Sequence, residues 1–150
     1  MLPKTGGTAQ RGQIVLAVIG AVLIAGCRSQ DRGVVASDAQ VFAELSSGDR
    51  DTVVCAIHNG DKKLSSSTAR RDFRKKLDEL LHDSDPQVVR AAITQPVLSK
   101  YSEVRIVDTP EGEASIRAAI DRYNKVVDNE KISLSRENGK PLLLFRNRIR

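Results

Sequence analysis

Side chains able to do covalent or acid–base chemistry are few, with two cysteines and two histidines in 150 residues. Cys27 closes an apolar run directly after Ala25 and Gly26, where a signal peptidase needs narrow side chains. Cys55 lies in the run Thr52-Val53-Val54-Cys55-Ala56-Ile57 and reads as a small buried hydrophobe. As a reactive thiol it would need a partner such as His58, three residues on. His58 and His82 stand at opposite ends of a helical region, with no second His or Cys at ligand spacing. A metal there would have to recruit carboxylates such as Asp83 and Asp85, so the expectation is two solvated helix-end histidines, no metal and no cofactor. Ser65-Ser66-Ser67 reads as a loop, and so few histidines leave no Ser-His-Asp or Cys-His arrangement to read. Glu111, Glu113 and Asp121 fall on a first turn and an exposed face, where acids favour the helix dipole.

The elements around Cys27 decide what its thiol is for. Lys4 and Arg11 precede residues 14–26, thirteen residues without a charged or strongly polar side chain. A helix crossing about 30 Å of hydrocarbon needs roughly 20 such residues, so this run suits the core of a secretory signal better than a span. Ile24-Ala25-Gly26-Cys27 resembles the lipobox of bacterial lipoproteins, with Ile24 where Leu is commoner. The resemblance covers residues 1–27 only. It implies a diacylglycerol on Cys27, removal of residues 1–26, and acylation (palmitate or a similar chain) of the new amino terminus. Two or three acyl chains hold stably at about 0.8 kcal/mol per buried methylene, where one chain is marginal. Arg28 stands where enteric lipoproteins retained at the inner membrane carry Asp. The implied address is therefore the cell envelope, lipid-anchored, and the outer membrane if the host has one. Leu2-Pro3-Lys4-Thr5-Gly6 spells the sortase motif, but it begins the chain where that motif belongs near the carboxyl end, and is read as chance.

Removing residues 1–26 leaves 124 residues with 22 basic against 19 acidic side chains, a net charge of +3. That is enough chain for one core and too little charge to suggest nucleic acid. No Trp is present and aromatics are 3%, so stacking platforms for bases are not expected and aliphatic side chains must build the core. With lipid on Cys27, no internal disulfide can form.

Residues 27–37 read as the lipidated cysteine and a tether, and residues 38–100 as helical hairpins. Ser37 or Asp38 caps a short helix carrying Val41, Phe42 and Leu45. A second helix over 51–58 buries Val53, Val54, Ala56 and Ile57 and stops at Asn59-Gly60. Ser67 or Thr68 caps a third helix to about His82, with Ala69, Phe73, Leu77, Leu80 and Leu81 on one face. Asp85-Pro86 opens a fourth, which ends at Pro96. A shift of 36 residues aligns Leu45, Asp49, Val53, Ala56 and Ile57 with Leu81, Asp85, Val89, Ala92 and Ile93. The segment Leu80-Leu81-His82-Asp83-Ser84-Asp85-Pro86-Gln87-Val88-Val89-Arg90-Ala91-Ala92 resembles a HEAT repeat, a likeness confined to residues 69–93. Two ordinary hairpins with common turn chemistry explain the echo equally well.

Residues 101–150 read as a β-α-β-β unit. A strand is expected over 104–107, and Thr109-Pro110-Glu111 starts a helix reaching about Asp128. Asn138-Gly139 suits a type I′ turn that pairs Glu137 with Lys140, Leu134 with Leu143 and Ile132 with Phe145. The fold class is thus α+β, short helical hairpins followed by a small β-α-β-β unit with a C-terminal β-hairpin.

Two basic stretches point to a partner. One gathers Lys62, Lys63, Arg70, Arg71, Arg74, Lys75 and Lys76; the other is the tail Arg146-Asn147-Arg148-Ile149-Arg150. Together with the membrane contact through Cys27, they suggest a non-enzymatic interaction protein presenting a basic helical face to an envelope protein or anionic surface. The other reading is a small envelope hydrolase or wall-modifying enzyme, which requires a pocket of convergent polar groups between helices and sheet.

Overall fold

Capping chemistry starts each helix. The structure is a computed structural model and describes residues 37–147. Helix α1 (Asp38–Leu45) follows Ser37, whose side chain accepts from the Gln40 amide. Asp49 opens α2 (Arg50–Lys63) by accepting from Thr52 N at 2.9 Å. Ser66, one residue earlier than expected, caps α3 (Ser67–Leu80) through Ala69 N. Asp85 and Pro86 open α4 (Pro86–Leu98), and Thr109 and Pro110 open α5 (Pro110–Val126). Each such cap is worth about 1 kcal/mol and satisfies an amide that lacks a helical partner.

Two breakers do not break. Helix α2 runs through Asn59-Gly60 to Lys63 because Gly60 is buried beneath the Phe73 ring. Its missing side chain lets α3 approach, so here the glycine serves packing and not a turn. Helix α4 continues through Pro96 to Leu98. Only its last turn follows the proline, so one lost hydrogen bond is offset by burying Pro96 and Val97 in the helix most surrounded by others.

The expected strand over 104–107 is not formed. Its amides make successive turn bonds (Val104 N to Tyr101 O, Arg105 N to Ser102 O), and a 3-10 turn covers Ile106–Asp108. Val104, Ile106 and Val107 are all buried, so the segment does not alternate as a strand face would. The second half is therefore α-β-β, and the sheet is the two-stranded hairpin of β1 (Glu130–Glu137) and β2 (Lys140–Asn147).

That hairpin has the expected register, with Glu137 opposite Lys140, Leu134 opposite Leu143 and Ile132 opposite Phe145. Asn138 and Gly139 take φ of 52° and 77°, the left-handed pair that a type I′ turn demands. Ile132, Leu134 and Leu143 join the core, while Phe145 stays 40% exposed. The apolar positions paired by the 36-residue shift are all buried, while Asp49 is exposed and Asp85 half-buried at the two helix starts. Helix α1 packs on α2, α3 on α4, and α2 on α4, and α5 adds itself to α4. One core runs from Val41 through Phe73, Ile93 and Ile116 to Leu143 without a seam at residue 100.

Candidate interaction surface

Helix α3 divides the basic residues instead of gathering all seven. Arg70 and Arg74 are one turn apart, as are Arg71 and Lys75, so these four form two adjacent rows. Lys76, two residues from Arg74, points to nearly the opposite side and pairs with Glu79 at 2.9 Å. Lys63, at the end of α2, pairs with Glu44 at 3.9 Å. Lys62 is exposed nearby, and neither it nor Arg74 forms an ion pair among the described residues. Lys75 reaches Asp72 at 3.3 Å, an exposed pair of little energetic weight.

Arg70 anchors this double row. Its Nη2 donates to Leu64 O at 2.9 Å and its guanidinium lies 4.2 Å from the centroid of the Tyr101 ring. Lys100 approaches the same ring at 5.2 Å. Glu103 accepts from Ser67 Oγ at 3.0 Å, and its carboxyl is held below the usual range by its own backbone amide first and then by Ser67. Beneath this loop Asp61, only 2% exposed, accepts from Ser99 Oγ at 3.0 Å, which fastens α2 to the end of α4. Sequence reasoning missed Lys100, Tyr101 and Asp61, because Tyr101 and Arg70 meet only when α4 returns past α3.

The carboxylates considered for chemistry have other occupations. Asp83 Oδ1 accepts from the Asp85 amide, and Asp85 Oδ1 accepts from Gln87 N, both at 2.8 Å. Glu113 bridges Arg117 and Arg136, which lowers its pKa, Arg136 contributing most. Glu111 and Asp121 are exposed on α5. Ser65 bonds Asp38 through amide and hydroxyl, while Ser66 and Ser67 serve the cap and Glu103. His58 is half-buried and not a solvated helix end; desolvation first, and the Arg90 charge second, push its pKa down. His82 is exposed, its Nδ1 lying 3.3 Å from Arg122 Nη2. Cys55 is half-buried, not fully buried, with Asn59 Nδ2 donating to its carbonyl. No group of three His, Cys, Asp or Glu able to hold a metal occurs among the described residues.

A three-residue network absent from the sequence reading joins α4, α5 and β1. Glu130 accepts from Arg90 Nε at 2.7 Å and from Tyr123 Oη at 2.8 Å. Arg90 holds the Glu130 carboxyl below its ordinary range, and desolvation, followed by that carboxylate, pushes the Tyr123 phenol up to about 12. A saturated carboxylate of this kind is a clamp; its proton equilibrium is locked away from neutral pH. Beside it, an open groove of about 320 Å³ is lined by His82, Pro86, Val89, Arg122, Tyr123 and Val126.

Compared with protein families, curated proteins and solved structures, the chain matches none. Cys27 and residues 148–150 lie outside the described residues, and no described helix is long and apolar enough to cross a membrane.

Proposed function

We propose that the chain is a lipid-anchored, non-enzymatic interaction protein of the cell envelope. The lipid on Cys27 holds it at the membrane, and the α3 face meets an anionic partner. The observation that carries this reading is the double row Arg70–Arg74 and Arg71–Lys75, built on a helix whose other face is sunk in the core. Tyr101 and Leu64 O hold Arg70 in place, so part of the face is ordered before any partner arrives. Tethering to a surface raises the local concentration of the body near its partner, which lets a modest face suffice.

Two measurements test it. Intact mass and membrane fractionation of the full chain against Cys27→Ser should show acyl mass on a species starting at Cys27, lost in the variant. An unlipidated chain, or one whose two cysteines are joined to each other, refutes the anchor. Charge reversal of Arg71, Arg74 and Lys75 together should abolish partner capture from membranes. Lys76→Glu should leave capture intact, since Lys76 sits on the other flank of α3. Equal loss in both would mean general electrostatics and remove this face from consideration.

A further inference from the structure

The two edges of the β-hairpin are treated differently. In a two-residue hairpin the pair flanking the turn, Glu137 and Lys140, exchanges hydrogen bonds, and alternate pairs beyond it turn their backbone groups outward. On β1 those outward groups belong to Glu130, Ile132, Leu134 and Arg136. Asn124 of α5 fills the Ile132 position as a strand would: its Oδ1 accepts from Ile132 N at 2.9 Å and its Nδ2 donates to Ile132 O at 2.8 Å. Arg117 Nη1 donates to Leu134 O at 3.2 Å. At the centre of the β1 edge, side chains therefore meet both Ile132 groups and the Leu134 carbonyl.

On β2 the outward groups belong to Pro141, Leu143, Phe145 and Asn147. No hydrogen bond from the described residues meets the amides or carbonyls of Leu143 and Phe145 on that edge. Pro141 has no amide to give, so pairing is confined to the positions after it. The side chains alternating with these, Lys140, Leu142, Leu144 and Arg146, stand on the solvent face. Leu142 is 38% exposed and Leu144 39%. The edge thus offers open backbone groups, an apolar centre and a cation at either end.

We propose that the β2 edge is a strand-addition site for an extended peptide with apolar residues at its centre and an acid at each end. The pattern is acid-x-apolar-x-apolar-x-acid, which sets carboxylates opposite Lys140 and Arg146 and aliphatic side chains opposite Leu142 and Leu144. Main-chain bonds to Leu143 and Phe145 supply the attachment and the alternate side chains supply the selection. A second copy of this chain fits poorly. Antiparallel pairing of β2 with itself about Leu143 sets Lys140 opposite Arg146, and a shift that opposes Leu143 to Phe145 sets Arg146 opposite Leu142. Like charges meet in the first register, and a cation meets an apolar side chain in the second. This site is separate from the α3 face and does not depend on the lipid anchor.

The test is fluorescence anisotropy of the full chain in detergent with labelled synthetic peptides. One carries glutamate at both ends of a core alternating threonine and valine, and a second carries lysine at both ends. A third is the first peptide with N-methyl groups on the amides facing β2. The glutamate-ended peptide should bind at least about fivefold more tightly than the lysine-ended one, and N-methylation should abolish binding. Lys140→Glu with Arg146→Glu, both on exposed positions, should invert the preference while leaving the circular dichroism unchanged. Equal binding of the two peptides, no binding of either, or retained binding after N-methylation overturns the proposal. Binding of this face to phosphatidylglycerol vesicles without peptide binding overturns it as well.

Discussion

Gly60→Ala tests whether the passage of α2 through Asn59-Gly60 is a packing device. Gly60 sits inside a helix, so added backbone stiffness alone predicts stabilisation, up to about 1 kcal/mol. A Cβ there would overlap the Phe73 ring, with Cζ at 2.8 Å and Val41 Cγ1 at 3.1 Å. Phe73 and Val41 are both 0% exposed, so the ring cannot swing into solvent to make room. Overpacking of this kind costs about 1–3 kcal/mol. The overlap outweighs the propensity gain, for a net loss of about 1 kcal/mol. In a domain of this size that is a fall of about 4 °C in Tm, measured by thermal unfolding followed by circular dichroism. The source of the loss is checked with Phe73→Leu: the cycle should show a favourable coupling of about 1 kcal/mol, because the smaller side chain vacates the space. A rise in Tm for Gly60→Ala, or strict additivity with Phe73→Leu, would refute the reasoning and return Gly60 to the role of a tolerated helix residue.

Other substitutions probe the remaining joints. Gly112→Ala should be costlier than Gly60→Ala, since its Cβ would overlap the Ile106 carbonyl, and backbone yields less than a ring edge; urea midpoints of the two variants decide. Asn124→Ala strips both bonds from the buried Ile132 backbone and should cost about 1–3 kcal/mol, with faster hydrogen exchange at the Ile132 amide as the specific sign. Glu130 has a depressed pKa, so its contribution is present above the ordinary carboxylate range and disappears as pH falls through the folded value. Glu130→Gln should therefore cost about 1 kcal/mol at pH 7, discounted because the Arg90 side chain is 39% exposed, and the gap from wild type should be narrower at a pH below the ordinary carboxylate range. An equal gap at both pH values would locate the effect elsewhere. His58, also depressed, should titrate below about 6.5 by NMR, and stability from it should be lost as pH falls through that lower value.

The parts of the fold readable from the chain are those whose cause lies within one turn of their effect. Ser37, Asp85-Pro86 and Thr109-Pro110 cap their own helices, and Asn138-Gly139 dictates a register because only one pairing follows from a two-residue turn. The 36-residue echo identified buried positions because equivalent helices bury equivalent faces. Three local signals gave wrong boundaries where a distant surface intervened. Gly60 met the Phe73 ring, Pro96 was buried among neighbouring helices, and residues 104–107 buried Val104, Ile106 and Val107 together in successive turns packed on α4 and α5.

The same division governs the surface. Sequence alone determined that cations cluster around α3, and helical spacing already separates Lys76 from Arg74. Only the tertiary structure decided that Arg70 stacks on Tyr101, that Lys63 is drawn to Glu44, and that Arg90, Tyr123 and Glu130 lock together across a 40-residue separation. Caps and turns are short-range chemistry between neighbours in the chain. A clamp between α4, α5 and β1, or a strand edge left open beside one met at its centre by side chains, exists only after packing has brought those segments together.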